Sequence, residues 1–271
     1  MTQDATQQKT CQSDVVDPAR AAALAVTLGV NIELSDNAQL PPFFHQVYFW
    51  DPQAAVALGR DGHPKVGGLI PDMGLPRRMW AGGRLQFDHA LRIGVPAAKR
   101  SVCEKHIRKE GRSGPLGLVT LRHEILQNGR LCVTEWQDLV YRQDADPSAP
   151  APQSPMAPEG AATEREVDFT STQLFRYSAL TFNGHRIHYD LPYAQDVEGY
   201  DGLVVHGPLL AQLLMLMALE ELGPLAQFSF KATSPLMHFE KAVLCRKGNA
   251  MWVRAPDGRQ CMTAEVQPQS Q

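Results

Sequence analysis

Between residues 183 and 190 the chain reads NGHRIHYD, which sets His185, His188 and Asp190 within six positions of one another, beside Asn183. Histidine titrates near neutrality, so modest changes of environment make it a base or an acid at physiological pH. Two imidazoles and a carboxylate, with His206 further along, are also legitimate ligands for a divalent cation. Their spacing does not match the His-x-x-x-His of a helical zinc site, so proton transfer is the expected chemistry and no metal is expected. The blander alternative for any one of these histidines is a hydrogen-bonded loop residue.

A second chemical feature follows at once. GLVVHG (202–207) leads into PLLAQLLMLMALEELGP (208–224), whose proline near the start and Gly223-Pro224 at the end punctuate a helix. The first turn of a helix has free backbone N–H groups and a partial positive charge, and can hold a developing oxyanion. Pro208 has no N–H, so Gly207 is the candidate donor, and its missing side chain admits a carbonyl. Read blandly, Gly207-Pro208 only starts a helix. Arg77, Arg78 and Arg84 are candidates for phosphate or carboxylate binding, since guanidinium matches such oxygens in a bidentate manner, although a solvated or structural role serves each equally well. Trp80 lies among them as a candidate for packing or substrate contact.

The elements that must position these residues fall into two halves. Residues 144–163, DADPSAPAPQSPMAPEGAAT, hold five prolines among small and acidic residues and cannot sustain a helix or a paired strand, so they read as a linker. Residues 1–16 read as a disordered N-terminus, 17–143 as a first domain and 164–271 as a second. In the first, Pro18–Gly29 has the punctuation of a helix, and Asn128-Gly129 between two alternating stretches marks a β-hairpin. In the second, Gln212, Glu220 and Glu221 alone interrupt the apolar surface of the helix after Gly207, which must therefore be buried nearly all round. Strand-like segments follow from Phe228 to Val266, with turns at 247–249 and 256–258. A buried helix followed by antiparallel strands implies a sheet wrapped around it, twice over, in an α+β protein.

Composition narrows the class of activity. A formal charge of -3 over 271 residues, with no long Lys/Arg run, gives no electrostatic reason to bind nucleic acid. The apolar helix is too short for a bilayer, which takes about 20 such residues, and no membrane association is expected. Five widely spaced cysteines without a Cys-x-x-Cys pair, and a polar N-terminus, suit a reducing, cytoplasmic compartment.

FRYSALTFNGHRIHYD (175–190) followed by GYDGLVVHGPLLAQLL (199–214) resembles the hydratase segment and central-helix start of the MaoC-like, R-specific enoyl-thioester hydratases and dehydratases. FFHQVYFWDP (43–52), DGHP (61–64) and LPRRMWAGGRLQF (75–87) resemble its two-hotdog branch, which includes itaconyl-CoA and mesaconyl-CoA hydratases and mitochondrial-type 3-hydroxyacyl-thioester dehydratases. The resemblance implies a double hotdog, a catalytic second half, and a first half that is catalytically degenerate and shapes the acyl pocket. It implies reversible addition of water to a short branched dicarboxylic enoyl-CoA, itaconyl-CoA or mesaconyl-CoA giving citramalyl-CoA, with no cofactor. Dehydration of 3-hydroxyacyl thioesters in fatty-acid synthesis, thioester hydrolysis, and acyl-CoA binding without catalysis are the alternatives. A further homodimer is open.

The wider family's motif is Asp-x-Asn-Pro-x-His. By position, Asn183 stands on its Asp, His185 on its Asn, Arg186 on its Pro and His188 on its His. His188 alone is retained. An amide neither takes nor gives a proton at neutral pH, so Asn183 is expected to hold the water that His188 activates. Which group returns a proton to the α carbon stays open between His188, Asp190 and His185, with Asp190 expected to orient a histidine.

Overall fold

The computed structural model describes residues 9–111, 114–144 and 153–270. Ten strands, every neighbouring pair antiparallel, form one sheet in the order β1-β3-β4-β5-β2-β7-β10-β9-β8-β6. The first half supplies β1 (Lys9–Val15), β2 (Arg77–Phe87), β3 (Pro96–Gly111), β4 (Gly114–Gln127) and β5 (Arg130–Arg142). The second supplies β6 (Thr163–Val167), β7 (Leu225–Ala232), β8 (Ala242–Lys247), β9 (Ala250–Arg254) and β10 (Gln260–Pro268). Asn128 and Gly129 have φ of 50° and 75°, the left-handed pair that a two-residue hairpin needs to join β4 to β5.

The halves meet where β2 pairs with β7, in register from Gly82 opposite Lys231 to Gln86 opposite Gln227. The two glycines of the WAGG stretch let β2 fit between its neighbours β7 and β5. A Cβ on Gly82 would stand 2.6 Å from the Phe230 carbonyl oxygen, and one on Gly83 2.6 Å from that of Trp136.

Among the described residues three α-helices complete the architecture: α1 (Pro18–Leu28), α2 (Ser171–Leu180) and α3 (Gly207–Leu222). In α1 the Asp17 side chain accepts from the Arg20 N–H and Gly29 closes the helix in a left-handed conformation, as its sequence punctuation requires. The α3 helix buries Leu209, Leu210, Leu214, Met215 and Met217 and packs against β2, β7, β9 and β10. Even Gln212 is buried, its amide nitrogen donating to the Pro42 carbonyl at 2.9 Å.

Two expectations about the ends of the halves need correction. Residues 9–15, expected to lack structure, form β1 and pair with β3 from Lys9 opposite Val102 to Val15 opposite Pro96, because β3 otherwise presents an open edge. Residues 1–8 and 145–152 lie outside the described residues. The rest of the proline-rich segment is held against the second half: Ala157 N–H donates to Gly258 O, and Met156 bridges to Arg259. Among the described residues no helix is long and apolar enough to cross a membrane.

Candidate active site

The NGHRIHYD segment leaves α2 through Phe182, whose φ is 53°, and turns back under the start of α3. The Asn183 side-chain oxygen accepts the His185 N–H at 3.1 Å, closing the loop that aims both imidazoles inward. His188 is buried, with Nδ1 2.7 Å from the Val204 carbonyl oxygen. A carbonyl can only accept, so the proton sits on Nδ1 and Nε2 keeps its lone pair. Burial pushes His188 down to about 4, which leaves the ring neutral, with Nε2 unprotonated, at neutral pH.

His206 caps α3 and lies parallel to His188, ring centroids 3.6 Å apart. Its Nε2 is 2.8 Å from the Ser178 hydroxyl. Burial, followed by the neighbouring His188 and His185, holds it well below the ordinary histidine range. The next residue, Gly207, opens the helix with an N–H that has no carbonyl partner within it. A Cβ there would meet nothing closer than the Trp80 carbonyl oxygen at 3.8 Å. Asn183, His185, His188 and Gly207 all line one cavity of ≈ 470 Å³. Its contents would therefore face a neutral imidazole, an amide and a helix amino end together.

The remaining sequence candidates divide. Arg78 and Trp80 line the cavity, Trp80 also donating its indole N–H to Gly82 O at 2.8 Å. Arg77 does not join them; it is bound to Glu198 at 2.7 Å and lies over the Tyr200 ring. Arg84 stacks on Trp136 with its guanidinium carbon 4.2 Å from the ring centroid, along a separate shallow groove. The one-residue spacing of a strand sends neighbouring side chains to opposite faces, which is why Arg77 and Arg78 part. Asp190, expected to orient a histidine, pairs instead with Arg186 at 2.7 Å and accepts the Tyr193 N–H.

The first half contributes more than a wall. His63 lies in the cavity, its ring 4.6 Å from that of His185, and Asp61 Oδ2 is 3.1 Å from its Nδ1. Donor atoms of Asp61, His63 and His185 come within 4.8 Å of one another, a spacing open to a cation. Burial lowers the proton affinity of both imidazoles, followed by the Arg78 charge at His63 and by the neighbouring rings at His185, and the Arg78 positive charge opposes a metal there.

Along another stretch of wall, Glu135 Oε2 is 2.9 Å from His45 Nε2 and its other oxygen accepts from Gln137 at 2.9 Å. Burial alone would raise Glu135, but the His45 hydrogen bond and charge hold it down at about 2. Lys99 stands nearby, its proton affinity reduced by burial. Neither Lys99 nor Arg78 has an ion-pair partner among the described residues. The signal for this wall was present as strand alternation: Val133, Glu135, Gln137, Leu139 and Tyr141 share one face of β5, and a glutamate on an inward face is costly unless paired.

An antiparallel sheet around a buried helix, in two joined halves, with an unprotonated imidazole nitrogen at that helix's amino end, is the arrangement of a double-hotdog hydro-lyase. The chain belongs to the hydroxyacyl-thioester dehydratase type 2 family, whose model matches residues 43–238. It is 45% identical over 237 residues to the mesaconyl-C(4)-CoA hydratase of Chloroflexus aurantiacus, an alignment covering 85% of this chain and 84% of that protein. It is 26% identical over 184 residues to the mitochondrial hydroxyacyl-thioester dehydratase type 2 of Saccharomyces cerevisiae, covering 63% of each. Among solved structures, HtdX of Mycobacterium tuberculosis superposes with a TM-score of 0.67 at 17% identity, over 97% of this chain and 100% of that one. Another Mycobacterium tuberculosis protein, described as a double hotdog, gives a TM-score of 0.62 at 15% identity, over 97% of this chain and 95% of that one. The chain is thus a MaoC-like enzyme of the hydratase and dehydratase class, with the double-hotdog fold.

Proposed function

We propose that the protein adds water reversibly across the α,β double bond of a short, branched dicarboxylic enoyl-CoA, with mesaconyl-CoA going to citramalyl-CoA. The observation that carries this reading is the charged wall of the cavity, where Arg78 and Lys99 stand without carboxylate partners beside the bonded pair His45–Glu135. A long apolar acyl chain would have to desolvate these groups without pairing them, whereas a second carboxylate on the substrate supplies the missing partner. The identity to a mesaconyl-C(4)-CoA hydratase points the same way.

In the proposed chemistry the thioester carbonyl lies against Gly207 N–H, where the helix end stabilises the charge that gathers on oxygen as the β carbon is attacked. His188 Nε2 takes a proton from the attacking water. The Asn183 amide N–H₂ holds that water, its oxygen being committed to His185 N–H. Arg78 grips the acyl carboxylate through two parallel hydrogen bonds, and Lys99 keeps the wall positive. This addition needs neither a metal nor a redox cofactor. All five cysteines are free thiols, which suits a reducing compartment such as the cytosol. A homodimer of this chain is retained as a proposal, to be checked by light scattering.

Loss of the enoyl-thioester absorbance on adding enzyme tests the reading across mesaconyl-CoA, crotonyl-CoA and a C16 enoyl-CoA. The expected order has mesaconyl-CoA ahead of the C16 substrate in kcat/KM by at least about 100-fold, the effect of one buried charged pair. The reverse order would favour the second reading, a 3-hydroxyacyl-thioester dehydratase of fatty-acid synthesis, to which the family's description points.

A further inference from the structure

Hydration moves two protons, one off the water and one onto the α carbon, and Asn183 can carry neither. The loop that holds DGHP is fastened to the loop that holds NGHRIHYD. Arg186 N–H donates to the Asp61 carbonyl at 2.9 Å, and the Arg186 guanidinium to the Arg60 carbonyl at 3.1 Å. Gly62 permits the contact: its φ is 87°, and a Cβ would stand 2.0 Å from the Gly184 carbonyl oxygen. These fastenings seat the His63 ring against His185, which in turn meets the edge of His188 with centroids 5.4 Å apart.

We propose that His63, held by Asp61, is the second proton-transfer residue of the site and serves the α carbon while His188 serves the β oxygen. The assignment rests on the hydratase reading above. Asp61 accepts twice from His63, at the ring Nδ1 (3.1 Å) and at the backbone N–H (3.1 Å). That clasp fixes the ring, places its proton on Nδ1 and leaves Nε2 as a base whose protonated form the carboxylate stabilises. A carboxylate from the first half thereby acts through an imidazole where the family's motif has one directly. The first half is then part of the catalytic machinery, against the degeneracy expected of it.

Written for dehydration, the atoms balance. His63 Nε2 takes the α proton, and the C–H electron pair becomes the enolate held at Gly207 N–H. The proton passes to one nitrogen of His185, whose other nitrogen releases one to His188 Nε2. The enolate pair then forms the double bond as the Cβ–O bond breaks, and hydroxide leaves with the proton from His188 as water. All three rings return to neutrality, and hydration is the same path reversed.

The test measures dehydration of citramalyl-CoA and 3-hydroxybutyryl-CoA, each with ordinary and α-dideuterated material, by the full-length protein and its H63Q, H63F and D61N variants. The expected result is a fall in kcat of at least about 100-fold for H63Q on both substrates, within the range that one acid or base supplies. KM and melting temperature should stay near wild type, and the α-deuterium isotope effect should rise because proton abstraction becomes fully rate-limiting. D61N should lose about tenfold or more in kcat with KM unchanged. Turnover of folded H63Q or H63F within about threefold of wild type, or losses confined to KM and melting temperature, would overturn the assignment and leave His63 as packing. Should wild type act on 3-hydroxybutyryl-CoA and not on citramalyl-CoA, the dicarboxylate reading fails while the His63 result stands. Inactivity on both overturns the hydratase reading and this one together.

Discussion

The rings of His188 and His206 lie parallel at 3.6 Å with an interplanar angle of 20°. One residue is the base proposed from the NGHRIHYD loop and the other is the N-cap of α3, so the stack ties the imidazole to the helix end proposed to receive the thioester. His206 is fully buried, and its Ser178 hydrogen bond prevents it from turning. The placing of His188 against the amino end of α3 therefore rests on this stack together with the Nδ1 hydrogen bond to the Val204 carbonyl.

Replacing His188 by glutamine keeps a group able to donate to Val204 O but removes the basic nitrogen. Hydration should slow by about 10²- to 10⁴-fold with the melting temperature little changed. Stopped-flow or steady-state absorbance at the enoyl-thioester band measures it; near-normal turnover of a folded variant would remove His188 from the mechanism.

Asn183→Asp and Asn183→Ala separate the two tasks of the amide. An aspartate oxygen still accepts the His185 N–H and restores the wider family's carboxylate, so N183D should fold and keep at least about a tenth of wild-type kcat. N183A loses both the loop closure and the water contact, each worth about 1 kcal/mol or more. It should fall clearly below N183D in the same assay.

Arg78→Lys retains charge but loses the two-pronged grip. For mesaconyl-CoA, kcat/KM should drop about 10- to 100-fold, and for crotonyl-CoA, which has no second carboxylate, by less than about threefold. Lys99→Met should show the same preference with a smaller effect. Equal losses on both substrates would mean that these cations do not read the acyl group.

Stability should fall as the solution is acidified from pH 6.5 toward 4. His188 and His123 are both pushed from 6.5 down to about 4, chiefly by burial. Between those values the unfolded chain takes up protons that the folded chain refuses. Each such histidine removes up to about 1.4 kcal/mol per pH unit across the window. Glu135 adds its loss lower, as pH falls from 4.5 through about 2. Thermal melts from pH 7.5 to 4 measure this, and H123F, which removes one of the two titrating rings, should flatten the slope.

Gly82→Ala should destabilise by about 1–3 kcal/mol, since the added methyl meets the Phe230 carbonyl across the β2–β7 seam. Denaturant unfolding reports it. An unchanged midpoint would show that the seam has slack.

Much of the architecture was legible before folding because it rests on local rules. Pro18 with Gly29, Pro208 with Gly223, and Asn128-Gly129 each act within a few residues, and all three give the elements they imply. The apolar surround of α3 likewise required a sheet to enclose it. His188, Asn183 and Gly207 could be singled out because two short motifs contain them, and the fold brings both motifs to one cavity.

What the chain alone determined is therefore the elements with strong local punctuation, their antiparallel class and the chemical inventory of each loop, but not β1, which exists only as a partner for the edge of β3. Only the tertiary structure decided which groups meet: that Arg78 faces the cavity while Arg77 and Arg84 are engaged elsewhere, that Asp190 serves Arg186, and that Asp61 and His63 close onto Gly184 from more than a hundred residues away. The reason is range. Caps, turns and periodicity are set by neighbours along the backbone, whereas the meeting of the Asp61–His63 loop with the 183–190 loop is set by how two halves dock, which no local pattern encodes.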